Sequence, residues 1–217
     1  MDTTQRSAGV AGVAAAVCLA GLLAVLMVTR LDPQRALYPP EAMRMIYNAP
    51  KVWGAIGIVG AVIPGLTMVF ALGLFSRLRG EAPTQASVML CFAVVGLGAF
   101  ALSSLMLWQG GSQLAEHYSL RSETGARYAW LALHAVNGGL NAFGYAFAGA
   151  SLLVAGWALI ATGLLNPVVG WAAVAAGILN IVSLFAPNSF PVFQANIVGS
   201  IIWLAWAGIE LRKPEQE

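Results

Sequence analysis

The sequence predicts an all-α integral membrane protein, a bundle of six transmembrane helices. Three observations carry that reading. Hydrophobic residues make up 59% of the 217 and charged residues 9%, against roughly 25% charged in a soluble domain. The charged residues, 11 Lys and Arg with 9 Asp and Glu, lie outside or at the very ends of six apolar runs. Each run is long enough to cross a bilayer, which takes about 20 apolar residues. Hydrocarbon offers no water to backbone N–H and C=O groups, so each run must be a helix.

The spans are expected at Ala8–Thr29, Val52–Ser76, Ala86–Trp108, Leu140–Leu165, Val168–Ala186 and Val192–Leu211. The last is the weakest, since Gln194, Asn196 and Ser200 fall early in it, and a five-span bundle is the structural alternative. The first run is expected to be retained as a helix. Its 22 residues exceed the apolar core of a signal peptide, about 7–15, and no small-residue cleavage site follows. A lipoprotein signal would need a small residue before Cys18, where Val17 stands. Cys18 and Cys91 both lie within spans and read as small buried apolar residues. The whole chain, 1–217, reads as a single transmembrane domain.

Connections differ in length. Those around Asn166-Pro167 and Pro187–Pro191 are short, whereas 30–51 and 109–139 are long and share one face. Short interfacial helices are expected in both long connections. Pro39-Pro40-Glu41 reads as a helix start, with proline tolerated in the first turn and an acid complementing the dipole. Asn48-Ala49-Pro50 ends that helix. Met43, Met45, Ile46 and Tyr47 suit a helix at the lipid headgroups, with Trp53 and Trp108 as interface anchors.

Basic residues near the spans mark the cytoplasmic side. Arg6, Arg77, Arg79, Arg212 and Lys213 fall on one side, Arg30, Arg35, Arg44, Lys51, Arg121 and Arg127 on the other. The two tallies are nearly equal, but the tight Arg77–Arg79 loop and the Arg212-Lys213 pair favour both termini on the cytoplasmic side. A three-plus-three inverted repeat, the mark of many secondary transporters, fails because the long first connection would align with the very short fourth one.

Small residues four apart let helix backbones approach in lipid. The first span carries Ala8, Gly12, Ala16, Ala20 and Ala24, the second Gly57, Ala61 and Gly65 with Pro64 as a bend, the fifth Ala172, Ala176 and Asn180.

Candidate functional residues cluster at the start of the fourth span. Glu123, Arg127, His134, Asn137, Asn141 and Tyr145 are spaced to stay near one helical face, with Trp130 on the same line. Gly138-Gly139 is a potential break. The seam reads either as interhelical hydrogen bonding, at roughly 1 kcal/mol a bond, or as a ligand pocket with His134 as a proton acceptor. Asn180 and Asn196, with Ser183, Gln194 and Ser200, are the partners expected from the last two spans. His117 and His134 are too far apart, and too little accompanied, for a metal site. No nucleophile–base arrangement or phosphate-binding glycine loop is present. No cofactor and no catalysis are therefore expected.

The stretch Phe143–Leu184 carries Gly156, Trp157, Gly163, Pro167, Gly170, Trp171 and Gly177, a helix end, a proline-containing turn and a Gly-Trp helix start. On these residues it resembles the late helix pair of a bacterial membrane family known as domain of unknown function 4386, and Ala71–Pro83 resembles its second-to-third span junction. The likeness extends over roughly two thirds of the chain. It implies about six spans and a place in a bacterial cytoplasmic membrane, and brings no activity with it.

The functional expectation is a non-enzymatic multi-pass protein that works through protein or lipid contacts. The alternative is a binder, sensor or transporter of a small molecule or lipid using the polar seam. Expected partners are the bilayer, a membrane protein or second copy of this chain, and a small apolar or lipid ligand. The net charge of +2 argues for no nucleic acid. For the orientation, a green fluorescent protein fused after Glu217 should fluoresce in a bacterial host, and an alkaline phosphatase fused there should be inactive. The opposite pair of results would invert the topology.

Overall fold

The computed structural model describes residues 3–28, 39–120, 123–186 and 189–213. Thr29, Arg30, Arg35, Arg121, Pro187 and Asn188, weighed above, lie outside them. Seven helices form among the described residues: α1 (Thr3–Val28), α2 (Pro39–Asn48), α3 (Pro50–Leu78), α4 (Pro83–Leu120), α5 (Glu123–Thr162), α6 (Pro167–Phe185) and α7 (Phe190–Leu211). All but α2 are long and apolar enough to cross a membrane. The protein is a multi-pass α-helical membrane protein, and six crossings put both described ends on one face.

Each spanning helix packs against its neighbours in sequence, and α1 packs against α7. The six spans therefore form a closed ring. Backbone proximity at glycine makes several of these crossings. A Cβ added at Gly208 would lie 2.8 Å from the Gly9 carbonyl, and one at Gly96 would lie 2.5 Å from the Ala148 nitrogen. On α5 and α6, Gly149 faces Gly177 and Gly156 faces Gly170. Within each pair the two glycines are equally far along the chain from Gly163, whose φ of 65° turns the chain. Antiparallel helices seven residues in register thus keep glycine against glycine. The next helix starts cleanly: Asn166 accepts from the Val168 N–H at 3.0 Å and Pro167 occupies the first turn.

The small-residue stripe of α1 is only half used. Ala8, Gly12 and Ala16 are buried, while Ala20 and Ala24 are exposed. On α3, Gly57 is buried and Gly65 exposed; on α6, Ala176 and Asn180 are buried. Cys91 is exposed on the outside of the ring and Cys18 is half-buried, so neither is the buried residue expected. The interior faces of α4 and α1 are taken by Met89, Ala93, Ala15 and Ala16, which turns both thiols away.

The second long connection departs most from expectation. Its residues extend α4 and α5 to 38 and 40 residues, about 57 and 60 Å at 1.5 Å per residue, twice the roughly 30 Å of hydrocarbon. Gly138 and Gly139 lie within continuous helix. The extension is held by packing. Met43 and Ile46 of α2, 0% and 2% exposed, bury against Ala115 of α4 and Trp130 of α5. The apolar face of α2 therefore meets protein, not lipid headgroups; Tyr47 remains exposed. Trp53 donates to the Trp108 carbonyl at 3.2 Å, and Trp53 and Trp130 both approach Gly111, which gathers the aromatic side chains into one belt.

At the end bearing the termini, a core of Phe70, Leu74, Leu78, Met89, Leu159, Val169, Leu204 and Leu211 fills the ring. Replacing Gly156 by Val should lower the apparent melting temperature in detergent, at about 1–3 kcal/mol for overpacking, because its Cβ would sit 2.7 Å from the Gly170 carbonyl. Gly139, with open space around it, should tolerate Ala with a gain of about 0.5–1 kcal/mol.

Candidate functional site

Against that core, between the helices of the ring, lies a half-open cavity of about 290 Å³, at the small end of the roughly 300–1,000 Å³ of ligand pockets. All six spans contribute: Leu19 and Leu22 from α1, Gly60, Pro64, Thr67 and Phe70 from α3, Leu97, Phe100 and Ser104 from α4, Asn141, Tyr145 and Ser151 from α5, Asn180 from α6, and Phe193, Asn196, Ser200 and Trp203 from α7. No charged side chain lines it. Its walls are aliphatic and aromatic, with hydroxyl, amide and indole groups set among them.

The seam named from sequence divides between two roles. Asn141 and Tyr145 line the cavity, and so do Asn180 and Asn196. His134 and Asn137 do not. Asn137 is 6% exposed and serves the α4–α5 crossing. Ser103 Oγ lies 2.6 Å from Asn137 Oδ1 and 2.8 Å from Asn141 Oδ1. A hydroxyl has one proton, so it donates to one amide oxygen and accepts from the other amide once that group is turned. His134 packs one turn below Trp130, ring centroids 4.4 Å apart, and its buried Nε2 has no hydrogen-bond partner among the described residues. Arg127 is exposed. The register set by Gly149–Gly177 places Asn141 level with Phe185 at the end of α6. His134 is then about 10 Å above the end of α6.

On the α6–α7 side the hydrogen bonds have a fixed direction. Ser183 donates its proton to the Leu179 carbonyl at 2.8 Å. Its oxygen can then only accept, and it does so from Asn196 Nδ2 at 3.2 Å. That leaves Asn196 Oδ1, which is buried and makes no hydrogen bond among the described residues. Asn180 is held the same way, Nδ2 donating one proton to the Ala176 carbonyl at 2.9 Å. Across the cavity, Pro64 supplies no N–H, which removes the usual intrahelical donor of the Gly60 carbonyl; Thr67 is occupied with the Ile63 carbonyl at 2.8 Å. Ser151 spans to α5's neighbour, donating to the Met89 carbonyl at 2.9 Å.

Trp203 is among the cavity residues that the sequence reading passed over. It meets Phe70 edge-on at 5.1 Å and 89°, is 5% exposed, and its Nε1 is buried without a partner among the described residues. The signal was its seven-residue separation from Asn196, which puts both on one face of α7.

No group of three or more His, Cys, Asp or Glu that could hold a metal occurs among the described residues. No family model, no curated protein and no solved structure matches the chain. The likeness of Phe143–Leu184 to the family named above rests on turn and packing residues alone, and Gly156, Gly163, Pro167, Gly170 and Gly177 have local work at the α5–α6 hairpin. Replacing Ser103 by Ala should destabilise the protein by about 1–3 kcal/mol, because buried Asn137 loses its partner; thermal unfolding in detergent measures it, and an unchanged melting temperature would show that a neighbouring group takes over.

Proposed function

We propose that this membrane protein binds a small, uncharged, largely apolar molecule in the cavity at the centre of its helix ring, exchanging it with the bilayer, and that it acts by binding and not by catalysis. One observation carries the reading. Asn196 and Trp203, both 5% exposed, line that cavity, and each has a buried polar atom without a partner among the described residues. Each such atom costs about 1–3 kcal/mol when left unmet, and an occupant with matching polar groups removes that cost.

The absence of charge from the lining sets the ligand class. A charged molecule would lose several kcal/mol of hydration per ion with no opposite charge to offset it. The aromatic walls, Phe70, Phe100, Tyr145, Phe193 and Trp203, return about 0.5–2 kcal/mol to a cation. Desolvation wins, so the favoured occupant is neutral. A second reading, action through lipid or protein contacts, draws on the exposed small residues of α1 at Ala20, Gly21 and Ala24.

Native mass spectrometry from mild detergent tests the first reading. The wild-type protein should retain a neutral small molecule. Ser200→Phe, which fills the cavity, should reduce retention at least tenfold while shifting the melting temperature by only a few degrees. A wild-type protein that arrives bare, and whose melting temperature no neutral amphiphile raises, would leave the contact reading in place of this one.

A further inference from the structure

The cavity's hydrogen-bonding groups have a polarity and a spacing, and together they specify more of the occupant than neutrality. This step rests on the binding reading above. Near the end of α6, the Asn180 and Asn196 amide nitrogens each donate to a neighbour, whereas the Asn196 oxygen has no partner among the described residues. The Ala176 carbonyl can only accept, which fixes Asn180. Ser183 has given its proton to Leu179, which fixes Asn196. That end of the cavity therefore asks for a hydrogen-bond donor. Trp203 Nε1 can only donate, so the deeper end asks for an acceptor. Asn196 and Trp203 are seven residues apart on α7, about 10 Å along the helix, and both line the cavity. The space between them is walled by Phe70, Leu97, Phe100 and Ile197.

We infer that the cavity selects an elongated neutral molecule that carries a hydroxyl or N–H donor at one end and a carbonyl or ether acceptor about 10 Å away, with apolar chain between. A fatty alcohol with one polar end, a ketone without a donor and an organic cation each meet only part of this pattern.

The experiment uses the full-length protein in nanodiscs and a diazirine-bearing decanol as photolabel, with the labelled residues located by peptide mass spectrometry. The competitors are a straight-chain ten-carbon hydroxyketone with its two groups at opposite ends, the same molecule with the hydroxyl methylated, unlabelled decanol, and decyltrimethylammonium. The hydroxyketone should compete best. Methylating its hydroxyl should weaken competition about tenfold, the worth of one buried hydrogen bond, and Asn196→Leu should reduce that gap to less than threefold. Losing the ketone, as in decanol, should weaken competition several-fold, and Trp203→Phe should remove that difference and leave the hydroxyl effect intact.

Ser183→Ala provides an independent check should Asn196→Leu fail to fold. Without the Ser183 oxygen the Asn196 amide is free to turn, and the methylated compound should then compete within threefold of its parent. Equal competition by the two compounds in the wild-type protein would overturn the donor requirement and leave binding intact. Superior competition by the ammonium compound would replace the neutral class with a cation. Photolabelling that never reaches α4, α5 or α7 residues of the cavity would overturn the binding reading itself.

Discussion

Closure of the ring at α1 and α7 governs everything inside it. A chain of helices joined by short turns would pack as a curved row, each member touching its neighbours, and the row would leave a groove open to lipid along its inner side. Gly9 and Gly208 prevent this by letting the first and last spans meet backbone to backbone, where lipid provides no hydrophobic drive and close packing must supply the attraction. The groove thereby becomes a cavity. Its floor is set by the same crossing, because α1 brings Ala15 and Ala16 to Phe70, Leu74 and Leu204 at the terminal end.

Spans were legible because hydropathy over about 20 residues is a bulk property of the run, insensitive to how helices meet. The helical ends were not. Residues 109–139 contain two glycine pairs and several polar residues, which locally favour a turn. Helix wins there through tertiary contacts from residues far away in sequence, Met43 and Ile46 on Trp130 and Ala115, so no local window contains the deciding information. The same limit explains α1: its small residues recur through Ala24, but the neighbours that would use the stripe are present only as far as Ala16.

The site was legible as chemistry and not as geometry. Asn141, Tyr145, Asn180 and Asn196 stood out because polar groups in a span need a partner. Which of them would face a cavity depended on the register of three crossings. Asn137 and Asn141 are one turn apart on the same face and both meet Ser103, yet only Asn141 also reaches the cavity. Trp203 was hidden for a different reason. Tryptophan in a span reads as an interface anchor, and its indole N–H becomes informative only when Phe70 is found holding the ring in the interior.

The polar groups of the cavity also sit where the wall is made differently. At α1–α7, α4–α5 and α5–α6 a glycine meets backbone, contacts that cannot shift without moving a helix. At α6–α7 a Cβ on Gly199 would instead meet the end of the Leu179 side chain, 2.9 Å away, and the crossing is spanned by the Ser183–Asn196 hydrogen bond. Side chains change rotamer far more readily than backbones separate. The amide oxygen that asks for a donor is therefore carried by the same hydrogen bond that ties α6 to α7. An occupant that pulls on Asn196 acts directly on that tie, so recognition at this wall and the fit between the two helices are one equilibrium and not two.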